Sequence, residues 1–150
     1  MKRHLLMLAV ASCFAAAQAG AMTADEHKVA KEKIEADYKV DKAACDAMKD
    51  NAKDVCKKEA EGKEKVAKAE LEQMYKPSDA HARKVQEEKI DAAYQVAKEK
   101  CDDQKGDAKD ACQKQAKDAE NREKAELRAS AKPTPTPASM PPSGKTTTQQ

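Results

Sequence analysis

The chain has no tryptophan, a single phenylalanine and only four glycines among its 150 residues. The phenylalanine, Phe14, lies in an apolar segment close to the N-terminus. Between Met22 and Lys132 the larger aliphatic residues are two leucines, two isoleucines, six valines and three methionines. Each such side chain stabilises a fold by only ~1.5–3 kcal/mol when buried, so this set cannot fill a large globular core. A closed catalytic pocket is therefore not expected.

The chain also lacks an excess of charge of either sign. It has 29 Lys and Arg against 27 Asp and Glu, and without Lys2 and Arg3 the balance is 27 against 27. Nucleic-acid binding relies on excess positive charge that displaces counterions from the phosphates. The neutral balance therefore excludes nucleic acid as a partner, although the body of the chain is rich in lysine.

Motifs that carry catalytic chemistry are missing as well. The sequence has no G-x-S-x-G, no H-E-x-x-H and no glycine-rich phosphate loop. Carboxylates occur throughout a chain in which 37% of residues are charged, so a pair of them does not indicate acid–base catalysis. We therefore expect no enzyme activity, no cofactor and no metal. An alternative function in metal or ligand binding would use His27 and His81, which lie near predicted helix starts.

Residues 1–21 have the features of a signal peptide. A short basic start is followed by thirteen apolar residues at 5–17, too few to span a bilayer as a helix. Small residues then allow cleavage after Ala19 or Ala21. The sequence predicts a periplasmic or secreted protein without a membrane span; in an alternative, a lipobox ending at Cys13 would make it an anchored lipoprotein.

The mature part of the chain contains an internal repeat. Residues 29–77 and 85–133 align without gaps at an offset of 56, and 24 of the 49 aligned positions are identical. Rare residue types recur at fixed spacing, as in Tyr38 and Tyr94, which a biased composition alone does not explain. We predict a duplication, with helical repeats at 22–77 and 78–133.

The composition changes sharply after the second repeat. Five of the six prolines lie from Pro133 onward, in a segment with almost no apolar side chains. Residues 134–150 are therefore predicted to form a disordered, Pro/Thr-rich tail.

Both repeats are rich in Ala, Lys, Glu and Gln, which favour helix. Pairs of opposite charge at i,i+4 spacing, such as Glu64/Lys68, Glu120/Lys124 and Glu59/Lys63, give further support. Asn51 and Asp107 are predicted to be helix N-caps, and Gly106 suits the C′ position of the preceding helix. A short turn is therefore expected at 50–51 and again at 106–107.

Cleavage of the leader leaves four cysteines, which in an exported chain indicates disulfides. Each repeat has two cysteines eleven residues apart, which would stand ~16 Å apart along one helix, too far to bond. In one arrangement each repeat is a helical hairpin closed by its own disulfide. In the other, each repeat is one long helix, and the two helices pair antiparallel. The candidate disulfide residues are Cys45, Cys56, Cys101 and Cys112.

The cysteine blocks carry a resemblance to known sequences. Residues 51–56 (NAKDVC) and 107–112 (DAKDAC), each with a partner cysteine eleven residues before its own, follow a signal peptide and lie in Ala/Lys/Glu-rich helices. Residues 29–133 thus resemble a group of small uncharacterised exported proteobacterial proteins, often labelled as cell-envelope or TolA-like. The resemblance implies no activity and no site.

These observations together predict an all-α protein of duplicated helical hairpins, or one long antiparallel hairpin, closed by structural disulfides. The function expected is a periplasmic structural or protein-interaction module of the cell envelope, connected with envelope stress. Its partner would be an envelope protein or the cell wall, and self-association is left open. A thiol-redox protein is a further alternative, although the spacing differs from the C-x-x-C of redox sites.

Overall fold

The computed structural model describes residues 22–130, which form four helices and no strand. The helices are α1 (Ala24–Cys45), α2 (Asp50–Tyr75), α3 (Asp79–Lys100) and α4 (Asp107–Ser130), with a 3-10 turn at Cys101–Asp103. The predicted all-α fold of disulfide-closed hairpins is confirmed. The predicted signal peptide (1–21) and tail (134–150) lie outside the described residues.

Side chains satisfy the free backbone amides where two of the helices begin. At α1, Thr23 Oγ1 accepts a hydrogen bond from the Glu26 amide at 3.2 Å, and Glu26 Oε2 accepts one from the Thr23 amide at 2.8 Å. These bonds form a capping box, and the bond from the Thr23 amide lowers the pKa of Glu26. At α3, Ser78 Oγ accepts from the His81 amide at 3.1 Å. Ser78 therefore caps α3 directly after the break between α2 and α3.

Each helix packs against its neighbours in the chain, so α2 and α3 are the inner helices. Asn51 Nδ2, at the start of α2, donates to the Glu99 carbonyl near the end of α3 at 2.9 Å. The two inner helices are therefore antiparallel, and both tight turns lie at the same end of the protein. We call it the disulfide end. The opposite end, with the start of α1 and the connection at 76–78, is the open end.

The core of the described residues is small. Six apolar side chains are buried, and two of these are cysteines. They are Cys45, Ala60, Ala69, Leu71, Val85 and Cys101. Leu71 on the inner helix α2 is 2% exposed, whereas its repeat equivalent Leu127, on the outer helix α4, is only half-buried. The fold therefore depends on the α2–α3 contact and on the disulfides more than on large apolar side chains.

The inner helices approach each other most closely at Gly62. A Cβ atom at this position would stand 2.7 Å from Ala92 Cβ, well inside the normal contact distance of two carbon atoms. The equivalent of Gly62 in the second repeat is Asp118, which lies on the outer helix α4 and is exposed. The two repeats therefore differ at this position. In the first repeat a neighbouring helix packs against it, and in the second repeat it is exposed.

The turns at the disulfide end correct the predicted caps. Asn51 lies inside α2, with its side chain bonded to α3, and α4 begins at Asp107, with the Gly106 carbonyl accepting from the Lys109 amide at 2.9 Å. The predictions of Asn51 and Asp107 as N-caps were therefore wrong. The repeat equivalents Asp50 and Gly106 instead share a left-handed backbone, with φ of 51° and 55°. The left-handed region favours glycine, so the second turn has the better-suited residue.

Exchanging these two turn residues should have opposite effects on stability. Asp50→Gly is expected to raise the free energy of unfolding by ~0.5–1 kcal/mol, because it removes the Cβ penalty at positive φ. Gly106→Asp should lower it by ~1 kcal/mol for the same reason. Urea unfolding followed by circular dichroism measures both, and a change of the same sign in both variants would contradict the shared turn geometry.

The close approach of α2 and α3 makes Gly62→Ala destabilising. Overpacking lowers the free energy of unfolding by ~1–3 kcal/mol, while the better helix propensity of alanine raises it by ~1 kcal/mol. We expect a net loss of ~1 kcal/mol in urea unfolding, recovered when Ala92→Gly is added in the same chain. Asp118→Ala is the matched control, because it changes the equivalent exposed position. If Gly62→Ala stabilised the protein as much as Asp118→Ala does, the close approach would be refuted.

Candidate interaction surface

The four cysteines pair within the hairpins. Cys45 bonds to Cys56 with a Cα–Cα distance of 5.5 Å, and Cys101 bonds to Cys112 at 5.6 Å. Each bridge joins the end of one helix to the first turns of the next, across a tight turn. The alternative pairing of Cys45 with Cys112 and Cys56 with Cys101, within one long hairpin, is therefore wrong. Cys45 and Cys101 are each 1% exposed, so one sulfur of each bridge is shielded from solvent.

An ion pair accompanies each disulfide at the same position of the repeat. Lys53 Nζ lies 3.0 Å from Asp46 Oδ1, and Lys109 Nζ lies 2.9 Å from Asp102 Oδ1. Hydrogen bonding to these lysines lowers the pKa of both aspartates. The two turns are thus closed by the same combination of a covalent bond and a charge pair.

A second charge cluster recurs along the hairpins, where a lysine bridges two helices. Lys124 on α4 contacts Glu120 at 2.7 Å and also Asp91 on α3, and these bonds, that to Asp91 first, raise the pKa of Lys124 to about 12. Lys68 on α2 contacts Glu64 at 2.7 Å and Glu35 on α1 at 3.7 Å. The predicted i,i+4 pairs of Lys68 and Lys124 are therefore confirmed, and each also reaches a neighbouring helix.

The two candidate ligand histidines lie at the open end. His27 Nε2 is 2.9 Å from Glu72 Oε1, its ring centroid is 4.4 Å from that of Tyr75, and its side chain is only 18% exposed. His81 Nδ1 lies 2.6 Å from the Lys76 carbonyl oxygen. His27 therefore packs between α1 and α2. Among residues 22–130, no group of three or more His, Cys, Asp or Glu side chains could hold a metal ion.

Tyr38 and Tyr94, which are equivalent in the two repeats, are half-buried and lie beside lysine side chains. Lys42 Nζ is 5.6 Å from the centre of the Tyr38 ring, and Lys117 Nζ is 4.9 Å from that of Tyr94. Tyr38 also lines a groove of about 320 Å³ between α1 and α2, together with Ile34. Tyr38 therefore lies at the α1–α2 interface.

A larger groove of about 810 Å³ lies between the inner helices, and we call it the α2–α3 groove. Its middle is lined by small apolar side chains, and its two ends by charged ones. The apolar side chains are Val66, Ala67, Ala92, Ala93, Val96 and Ala97. The other side of the same helix pair is polar and includes Lys58, Lys65 and Glu88. The inner helix pair thus has one apolar and one charged side.

Sequence reasoning did not identify the α2–α3 groove, although the repeat contains a signal for it. Four of the six valines and alanines that line the groove have charged residues at their repeat equivalents, which do not line it. Val66, Ala67, Ala93 and Ala97 correspond to Arg122, Glu123, Asp37 and Asp41. Such divergence between two copies marks positions whose surroundings differ.

None of the helices in residues 22–130 has an apolar stretch long enough to cross a membrane. Comparison of the chain with protein-family models, with curated proteins and with solved structures gave no match. The resemblance to small exported envelope proteins therefore stays a prediction.

Removing one disulfide should leave the other intact, because each closes its own hairpin. Closing a loop across a separation of eleven residues stabilises a protein by about 3 kcal/mol, so Cys45→Ser with Cys56→Ser should lower the free energy of unfolding by that amount. The matched double variant at Cys101 and Cys112 should lose a similar amount. A thiol assay on each unfolded, non-reduced variant should find no free thiol, and two free thiols per chain would contradict local pairing.

Proposed function

We propose that this chain works outside the cytoplasm as a disulfide-stapled helical module of the bacterial cell envelope, where it binds an envelope protein or the cell wall. One observation carries the proposal: all four cysteines of residues 22–130 are consumed in bridges that close the two hairpins. Disulfides of this kind form and persist in oxidising compartments. The signal-peptide features of residues 1–21 support the same compartment, with either a free N-terminus or a lipid anchor at Cys13.

The small core explains why such a protein needs the oxidising compartment. Leu71 and Val85 are the only buried side chains larger than cysteine among the apolar residues described. Bridges that restrict the unfolded chain compensate for a core of this size. A reducing compartment would remove that contribution from both hairpins at once.

Exposed side chains on α1 support a role in binding. Val29 is 65% exposed and Val40 is 69% exposed. The repeat equivalent of Val29 is Val85, which is 6% exposed because α3 packs against α2. The first hairpin thus presents, on its outer helix, a side chain that the second hairpin buries against another helix. We call the exposed surface around Val29 the outer α1 edge, and it is the proposed contact with the envelope partner.

No feature of the described residues favours the metal-binding or thiol-redox alternative. His27 is engaged by Glu72 and Tyr75, and His81 by a backbone carbonyl. Each bridge joins two helices across the tight turn between them. Its cysteines are not placed as a C-x-x-C pair at a helix N-terminus.

Site-specific photo-crosslinking in living cells tests the proposal. A photoreactive residue at Val29 should form an adduct with an envelope component, because this side chain is 65% exposed. The same residue at Lys114, whose side chain is 77% exposed on α4, is the control and should give no such adduct. The measurement is the mass of the adduct, which must differ from a multiple of the chain's own mass.

Fractionation and thiol trapping in the same cells test the compartment. The protein should be recovered outside the cytoplasm with both disulfides formed. A cytoplasmic protein with four free thiols, or equal adducts from Val29 and Lys114, would refute the proposed function.

A further inference from the structure

The α2–α3 groove is bounded at each end by an ion pair that crosses from one inner helix to the other. Lys89 Nζ lies 2.8 Å from Glu70 Oε1, and Lys100 Nζ lies 3.5 Å from Glu59 Oε1. At both ends the acid is on α2 and the base is on α3. The two levels are eleven residues apart on each helix, which corresponds to ~16 Å, or three helical turns.

The middle of the groove is apolar, although the residues that line it are exposed or half-buried. Ala93 is exposed and Val66, Ala67 and Ala97 are half-buried, yet all four correspond to charged residues in the other repeat copy. Lys63 also lines this region, but its Nζ is bound to Asp41 Oδ2 on α1 at 2.6 Å, which directs it toward the outer helix. A solvent-facing groove kept apolar in this way is typical of a surface that packs against a partner.

We infer that the α2–α3 groove packs against the same groove of a second copy of this chain. The two copies are related by a twofold axis that runs parallel to the inner helices. This rotation places α2 of one copy over α3 of the other at the same height. Glu59 then faces the second copy's Lys100, and Glu70 faces the second copy's Lys89. At each end of the groove four charges alternate in sign around the axis.

The charge pattern selects this arrangement over the other face-to-face dimer. A twofold axis perpendicular to the helices would place α2 against α2 and α3 against α3. Glu59 would then meet the second copy's Glu70, and Lys89 would meet Lys100, so that like charges oppose each other at both ends. Like charges at an interface cost affinity, so the axis parallel to the helices is favoured.

The resulting core is an antiparallel four-helix bundle made of two inner helices from each copy. Adjacent helices around the axis run in opposite directions, as in ordinary up-and-down bundles. Small side chains at Ala67, Ala93 and Ala97 permit a close approach, and Val66 and Val96 fill the centre. Val29 does not line the α2–α3 groove, and the inference does not depend on the function proposed above.

Charge reversal on one helix of the pair tests the inference. Glu59→Lys with Glu70→Lys makes both ends of the groove basic. Lys89→Glu with Lys100→Glu makes both ends acidic. Each variant alone should dimerise at least tenfold more weakly than the natural chain in sedimentation equilibrium. An equimolar mixture of the two should recover a dimer that contains one chain of each kind, which native mass spectrometry identifies.

The variant with all four reversals is the matched control, because it restores the ion pairs within the chain. It should dimerise with itself as the natural chain does. Circular dichroism and thermal unfolding check that every variant folds, since exposed ion pairs contribute only ~0–1 kcal/mol each. A second control exchanges Lys84 and Glu88, a pair outside the groove at 2.8 Å, and should leave dimerisation unchanged.

Two results would overturn the inference. One is a natural chain that stays monomeric at the highest concentration that sedimentation equilibrium can measure. The other is a dimer that neither single-helix variant weakens, since such a dimer must use another surface. Neither result bears on crosslinking at Val29 or on the compartment of the protein, so failure of the dimer is distinguishable from failure of the proposed function.

Discussion

A disulfide requires its two cysteines to lie close together, and this requirement sets the topology of the protein. A separation of eleven residues is too long for a bond within one helix, so each bridge requires a turn between its cysteines. Two such turns create two hairpins, and an antiparallel contact between the hairpins places both turns at one end. A chain with few large apolar side chains thereby has a defined topology.

The contact between the inner helices is the second determinant, and it acts on a chain whose two halves are nearly alike. Gly62 permits the close approach of α2 to α3, while its equivalent on α4 is a charged residue. Val85 is buried between the hairpins, while its equivalent on α1 is exposed. The repeats therefore have similar turns and ion pairs within each hairpin. Their surfaces differ at the contact between the hairpins and on the outer helices.

This asymmetry connects the fold to the proposed interactions. Apolar side chains remain accessible on the outer α1 edge and in the α2–α3 groove, whereas the opposite side of the inner pair is charged. A single chain can therefore offer one surface to a different molecule and another to a second copy of itself. Ion pairs that bridge adjacent helices, such as that of Lys124 with Asp91, hold these surfaces in register.

The helical class and the presence of disulfides could be predicted from the sequence, because helix propensity is a local property and an even number of cysteines in an exported chain indicates pairing. Tertiary structure alone decided which cysteines pair, since local and long-range pairing both satisfied the spacing. It also decided the role of Asn51, which bonds to the Glu99 carbonyl instead of capping α2. The α2–α3 groove also required the tertiary structure, because the small residues at 62–67 and 92–97 share a surface only when α2 packs antiparallel on α3.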